Sequence, residues 1–378
     1  MNSRRAKNTP QIAVVQSTKE YTPFLNSILL SCKIQSENAK LDRRLIFEWA
    51  SGLEQKRKSY PSEALMYELV MVIACEGLGT AGNACDDSLD GKFAVATRGF
   101  ARAAGIFQHL AENQLPKWIS KGTSIENADL PAEVSVPVCD AFSKFYLAVG
   151  QQMAVSTVLM KPGVPKYSLL AKLTKGIAEL LEQFVSTMRS KASNSMNKMD
   201  NNFFTLVTLQ LTLQDALSQY FLARSLWDEE SYGLAIAIMN EAIQTMKTRS
   251  TVASKGMPEI GSRSPLKALN ADLNACRVHL REVLTSWEKD NSRVYFDKVP
   301  TTVPESSKIP KGIQMVKPEP FVLEDVDPVH LGPDPNAKRE KTPTKTSDPP
   351  PPSYNSAIQD DEALARELQE KLNRGETI

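Results

Sequence analysis

The sequence predicts an all-α fold, a solenoid-like or bent-bundle row of about eight helices with few strands. Three observations carry this. Apolar residues recur three and four apart as far as Lys289. Pro and Gly clusters cut that periodicity into pieces of helix length. Candidate strands are short and confined to the N-terminal region.

Residues 1–10 are polar and read as a disordered N-terminus. Ile12 to Gln16 suits a short strand, and Leu25 to Cys32 fits helix or strand. From Leu41 the pattern is helical, with Leu45, Ile46, Trp49 and Leu53 on one face. Ser62, after Tyr60-Pro61, is placed to cap the apolar segment EALMYELVMVIACEGLGTAGNAC, and Asp86 to Gly91 break it. The next segment sets Phe93, Ala96, Phe100, Ala103, Ala104, Phe107 and Leu110 on one side, where small residues allow close helix approach. Leu115 to Glu133 is irregular and polar.

The central pair follows, FYLAVGQQMAVSTVLM and KYSLLAKLTKGIAELLEQFVSTMRSK, joined by Lys161-Pro162-Gly163-Val164-Pro165. Leu169, Leu173, Ile177, Leu180, Leu181 and Phe184 form a stripe wide enough to bury. Leu170 and Lys172 fall off it, so one edge mixes apolar and basic character. Periodicity leaves two uses for that edge: a seat for a partner helix, or contact with the next helix of the same chain.

Asn202 to Trp227 is a long helix with Leu206, Leu209, Leu213, Leu217 and Tyr220 along its core face. Ser231-Tyr232-Gly233 opens another, and Pro265 to Lys289 closes the series with Leu266, Leu269, Leu273, Leu280 and Leu284. Asn291 to Pro300 reads as extended, and Pro310, Pro318 and Pro320 work against continued helix. Past Asp325 the chain is rich in Pro, Asp, Lys and Thr, the composition of a disordered tail. Ala96 to Leu110 and Ala235 to Met246 resemble tetratricopeptide B helices, yet no period of about 34 residues links them.

Composition narrows the function. The 45 Lys and Arg balance 44 Asp and Glu, so no basic excess points to nucleic acid. The five cysteines form no C-x-x-C pair, which suits reduced thiols and a cytoplasmic location. The N-terminus has no apolar core of a secretory signal, and no apolar run reaches about 18 residues. Met1-Asn2 gives no myristoylation site and the terminal RGETI no prenylation site, so membrane contact is expected to be peripheral or through a partner.

Glu76 precedes Gly77-Leu78-Gly79-Thr80-Ala81-Gly82, a literal G-x-G-x-x-G, which opens a reading as a nucleotide-dependent enzyme. Against it, Leu65, Leu69 and Ile73 keep helical spacing, and Asp86 and Asp87 come too soon for a ribose contact, which needs an acid about 20 residues on. The glycines read better as packing points between helices. His109, His279 and His330 lie far apart and no metal-ligand spacing exists, so no catalytic residue, metal site or cofactor is assigned.

The tail carries two short motifs. Pro349-Pro350-Pro351-Pro352-Ser353-Tyr354 contains P-P-x-Y, and a proline run already favours polyproline II. Pro351, Pro352 and Tyr354 suit the aromatic groove of a WW domain; the alternative is a chance match in a Pro-rich linker. Beyond Asp360-Asp361-Glu362, Leu364, Leu368 and Leu372 stand four apart on a short amphipathic helix, either solvated or a partner helix. As a ubiquitin-interacting motif it departs from pattern, with Glu367 and Lys371 around Leu368 in place of Ala and Ser.

Several blocks together resemble the Bro-one domain of Alix-like proteins. EALMYELVMVIACEGLGTAG, KFAVATRGFARAAGIFQHL, FYLAVGQQMAVSTVLM, KYSLLAKLTKGIAELLEQF and YGLAIAIMNEAI look like its successive helices; DNSRVYFDKVP resembles its Tyr-x-x-x-Val-Pro exit and KGIQMVKPEP its closing strap. They run in family order over residues 11–325, leaving 326–378 as the tail. The resemblance implies a long, curved, tetratricopeptide-like scaffold that acts as a non-catalytic adaptor in endosomal sorting or membrane scission. Its partner would be the C-terminal amphipathic helix of an ESCRT-III subunit (a Snf-seven or charged multivesicular body protein). The family's aliphatic contact pair falls on Leu169 and Leu173; its aromatic falls on Ser156, beside Val155, a departure that bears on affinity; its Gln-rich segment falls on Gln151 and Gln152. The implied setting is cytoplasmic, peripheral on endosomal membranes, with the P-P-x-Y motif recruiting a WW-domain ubiquitin ligase of the HECT type. A signalling scaffold of the rhophilin type also carries this domain, but nothing here resembles its GTPase-binding coiled coil.

Overall fold

The structure is a computed structural model that describes residues 11–35, 45–120, 129–255 and 265–329. The chain divides into a compact unit, Met1–Gly332, and a second, Pro333–Ile378, all of which lies outside the described residues. The first ten residues also lie outside them.

The first helix, α1 (Gln11–Ile34), takes in both Ile12 to Gln16 and Leu25 to Cys32. The expected strand at Ile12 is thus corrected: β-branched residues there pack on a neighbouring helix, and tertiary contact outweighs propensity. Gly79 and Gly82 of α2 (Leu65–Leu89) allow that approach; a Cβ on Gly79 would stand 2.9 Å from Val15 Cγ2. Gly77 does the same for Phe107, at 2.8 Å. The G-x-G-x-x-G is therefore mid-helix, where its amides belong to the helix ladder and cradle nothing.

Between α1 and α2, the helix expected through Leu45 and Leu53 is instead the hairpin β1 (Phe47–Ala50) and β2 (Ser59–Ser62), paired Phe47 to Ser62 through Ala50 to Ser59. Its turn is held from afar. The fully buried Glu133 carboxylate accepts from Gly52 N at 2.7 Å, Leu53 N at 3.2 Å and Ser51 Oγ at 2.7 Å. Those amides are bound to a side chain, which competes with helix formation. Ser62, expected as a cap, lies in β2; α2 starts after Ala64, with no side-chain cap.

By length and composition α2 is apolar enough to cross a bilayer, contrary to the sequence reading; its centre is core, buried between α1 and α3. Helices then pack in series on the one before: α3 (Phe93–His109), α5 (Val136–Leu159), α6 (Tyr167–Lys191), α8 (Asn201–Asp228), α9 (Tyr232–Lys255) and α10 (Pro265–Asp290). Two short helices interrupt the row. α4 (Leu115–Ile119) follows a π turn at Leu110–Gln114 in the stretch read as irregular, and α7 (Ser193–Met196) precedes α8. α8 has two buried sides rather than one core face: Phe204, Val207 and Phe221 join the α2–α6 core, and Leu209, Ala216 and Ala223 the α9–α10 core.

After α10 the stretch Asn291–Tyr295, read as extended, is a π turn. From Phe296 the chain is mainly extended and runs back over the helices as a strap. Lys298 O passes Gly233 of α9, Ile313 O passes Gly176 of α6 and Glu319 O passes Gly105 of α3. A Cβ would stand 2.3, 2.3 and 1.6 Å from those oxygens respectively, so only glycine admits the strap's backbone. Ser27 Oγ of α1 donates to Asp327 O, and Gln35 Nε2 just past α1 donates to Val329 O at 3.0 Å.

Candidate functional site

The face shared by α5 and α6 forms the candidate site. On α5, Gln151, Val155 and Leu159 follow at helical spacing; on α6, Leu169, Leu173 and Gly176 do the same. The strap fills one end of this furrow. Gln151, fully buried, donates from Nε2 to Leu173 O and Ile313 O, both at 2.7 Å, and accepts from Met315 N at 2.9 Å. Ile313 N donates to Lys172 O at 2.8 Å, and Gly312 N to a Glu179 carboxylate oxygen at 2.8 Å. The other end, towards the α5–α6 turn, is open and apolar: Leu159, Met160, Val164 and Leu169 are exposed. Lys161, Lys166 and Lys172 stand exposed around them. Gly163 at φ +107° makes the turn that brings the two helix ends together.

The residues singled out from sequence divide accordingly. Leu169 is 42% exposed and Leu173 only 1% exposed, although they lie one turn apart. Leu170, placed off the stripe by the sequence reading, is fully buried. The buried stripe is thus rotated relative to expectation: Leu170, Leu173, Thr174 and Ile177 meet the core and Leu169 is its rim. Leu173 and Val155 are both buried, so they lie beneath the rim that Leu169 forms. Gln151 is a staple for the strap rather than a surface group. Ser156 and Gln152 are half-buried, and Gln152 Nε2 is enclosed without a hydrogen-bond partner. Sequence reasoning missed Leu159, Met160 and Val164, whose position beside a Pro-Gly turn was the available signal. It missed also Ile313 and Met315 of the strap, exposed beside Gln151. Pro351, Pro352 and Tyr354, and Leu364, Leu368 and Leu372, lie outside the described residues.

The row of helices closed by an extended strap has close relatives in shape. The BRO1-like domain family matches residues 1–345 of the 378. The chain belongs to that family. The BRO1-like domain here is 24% identical over 251 residues to the vacuolar protein-sorting protein bro-1 of Neurospora crassa. That match takes in 65% of this chain and 23% of the Neurospora protein, so the chain spans less than a quarter of that relative. Three solved structures share the fold. ALIX in complex with a SIVmac239 late domain superposes at TM-score 0.65 with 15% identity, over 85% of this chain and 43% of that one. The ALIX BRO1–CHMP4C complex gives 0.64 and 16%, over 85% and 84%. A Bro1 domain solved for its endosomal targeting gives 0.65 and 18%, over 83% and 78%. The expectation of an Alix-like helical scaffold is met.

Proposed function

We propose that this BRO1-like domain is a non-catalytic adaptor of endosomal sorting that seats the C-terminal amphipathic helix of an ESCRT-III subunit in the open end of the α5–α6 furrow. The observation that carries the reading is the exposed apolar set Leu159, Met160, Val164 and Leu169, ringed by Lys161, Lys166 and Lys172. An apolar stripe flanked by lysines suits a helix with leucines on one face and acids beside them. A related fold solved in complex with CHMP4C, and relatives named for vacuolar sorting and endosomal targeting, support it and a peripheral endosomal location. Burying two or three partner leucines, less the cost of ordering the helix, corresponds to roughly micromolar affinity.

The test is calorimetric titration of the full chain with a panel of ESCRT-III C-terminal helix peptides. Leu159→Asp and Leu169→Asp change exposed positions and so spare the core; together they are expected to abolish binding at unchanged helix content. Binding retained in the double variant refutes the reading. Leu173→Asp is not diagnostic, because it buries an unpaired charge and unfolds the domain.

In the tail, Pro351, Pro352 and Tyr354 are assigned to a WW-domain ubiquitin ligase of the HECT type, on the strength of the proline run before the tyrosine. Capture by an isolated WW domain should be lost in Tyr354→Ala; capture at wild-type level removes this part.

A further inference from the structure

Away from the α5–α6 furrow, a polar cleft of about 730 Å³ opens between α8, α9 and the first part of the strap. Its walls are Asp215, Asn240, Glu241 and Gln244 from the helices, and Val299 and Thr301 from the strap. Among the described residues no lysine or arginine lines this part of the cleft. A second chamber of about 260 Å³ shares Asp215, Glu241 and Val303 with it and is lined also by Gln219, Lys175 and Lys308.

Two acceptors here have no hydrogen-bond donor among the described residues. Glu241, half-buried on α9, makes no hydrogen bond or ion pair among the described residues. The two lysines of this chamber are each paired with another carboxylate, Lys175 with Asp215 at 3.1 Å and Lys308 with Glu305 at 3.1 Å, so Lys308 acts on Glu241 only through space. Gln219 Oε1 is enclosed with no donor. Both groups are acceptors and both line the smaller chamber; Glu241 is half-buried, and the enclosed Gln219 oxygen is costly to leave without a donor. What fits is a ligand rich in N–H donors and positively charged. The opening is larger than one side chain needs and lies in the range of ligand clefts, so it takes a short segment rather than a lone ion. A guanidinium suits acceptors spread around the walls, since it offers five N–H donors in a planar fork while an ammonium is a point charge.

We propose that this cleft binds an arginine-bearing peptide segment of a partner protein, with the guanidinium received by Glu241 and Gln219. The site is separate from the furrow and does not depend on the helix-binding reading.

The experiment is methyl NMR of the full chain, following Ala237, Val299 and Val303 as reporters on the cleft wall. The ligands are acetyl-Gly-Arg-Gly-amide, the same peptide with Gln for Arg, and spermidine. The arginine peptide should shift the three reporters saturably, and added salt should weaken it. The glutamine peptide should shift none of them. Glu241→Gln should weaken the arginine peptide about tenfold, equivalent to one hydrogen-bonded charge. Thr301→Arg, at an exposed position, should fill the cleft from within and block the peptide. Equal shifts with the glutamine peptide, or an arginine affinity unaffected by Glu241→Gln, overturn the proposal. Tighter binding of spermidine than of the arginine peptide overturns the assignment to a peptide. Loss of ESCRT-III helix binding in Leu159→Asp with Leu169→Asp leaves these outcomes unchanged.

Discussion

Gln151→Ala isolates the junction between the strap and the furrow. The wild-type amide makes three hydrogen bonds, to Leu173 O, Ile313 O and Met315 N, in a fully buried position. Leu173 O lies inside α6 and keeps its helical partner, so its loss is mild; the strap's Ile313 O and Met315 N lose a partner on the helix surface. At about 1 kcal/mol net for each of the two strap bonds and less for the one to Leu173 O, the variant should lose about 2–3 kcal/mol of stability, a sizeable part of a typical total of about 5–15 kcal/mol. Urea unfolding reads the loss as a lower midpoint at similar slope. Limited trypsin digestion locates it: cleavage after Lys308 and Lys311 should accelerate before cleavage elsewhere. Gln151→Glu adds a pH signature. Its carboxylate would face two carbonyl oxygens in a buried place, which raises its folded pKa above the unfolded value. The penalty is then full above the folded pKa and is relieved as pH falls towards the unfolded one. A Gln151→Ala variant within about 0.5 kcal/mol of wild type, the margin of an ordinary surface change, with the strap equally resistant to trypsin, refutes the staple.

Two further variants test the strap and the core. Gly105→Ala sets a Cβ 1.6 Å from Glu319 O and threatens the Glu319 N bond to Ala101 O at 3.0 Å; a loss of about 2–4 kcal/mol is expected from overpacking and that bond, and a change below about 0.5 kcal/mol in thermal or urea unfolding would contradict the close passage. Glu76 is 2% exposed, with only a 3.5 Å contact to Arg102, and burial raises its pKa above 4.5 despite the opposing pull of Arg102 and Lys19. The folded state therefore binds this proton more tightly than the unfolded state. Its charge costs stability above the folded pKa, and the cost fades as pH falls towards 4.5. Glu76→Gln should melt higher than wild type at pH about 7 and converge with it on acidification; a lower melting temperature at neutral pH would show that the ion pair outweighs burial.

The row of long helices was legible because a buried face repeats every three to four residues over many turns, and α2, α3, α5 and α6 each carry such a record. What was not legible depends on distant chain. Nothing near Ser51 to Leu53 announces that Glu133 will take their amides and hold a hairpin where helix periodicity ran on. The strand-like Ile12 to Gln16 became helix because Gly79 and Gly82 receive it. At the site, helical spacing put Leu169 and Leu173 on one stripe, whereas Leu169 is exposed and Leu173 buried. It was silent on the rotation of α6, which is fixed by Leu170 entering the core and by the strap lying over Gly176.

That rotation decides what the furrow can do. Had Leu169 and Leu173 both faced outward, the site would have been a flat apolar strip with no end. With Leu173 as floor, Gln151 beneath the strap and Ile313 lying across Gly176, the furrow is closed at one end and open at the other. On the proposed reading, a docking helix would stop against the strap and lie towards the α5–α6 turn. The same reading has the strap's backbone set the partner's registry and the exposed Leu159 and Leu169 its affinity. The two contributions separate experimentally. Gln151→Ala is expected to loosen registry, seen as broadened NMR signals of a bound helix at modest loss of affinity. Leu169→Asp should remove affinity while the strap stays protected from trypsin. Equal loss of affinity in both variants, with the strap equally exposed in both, would mean that furrow and strap form a single cooperative unit and that no stop exists.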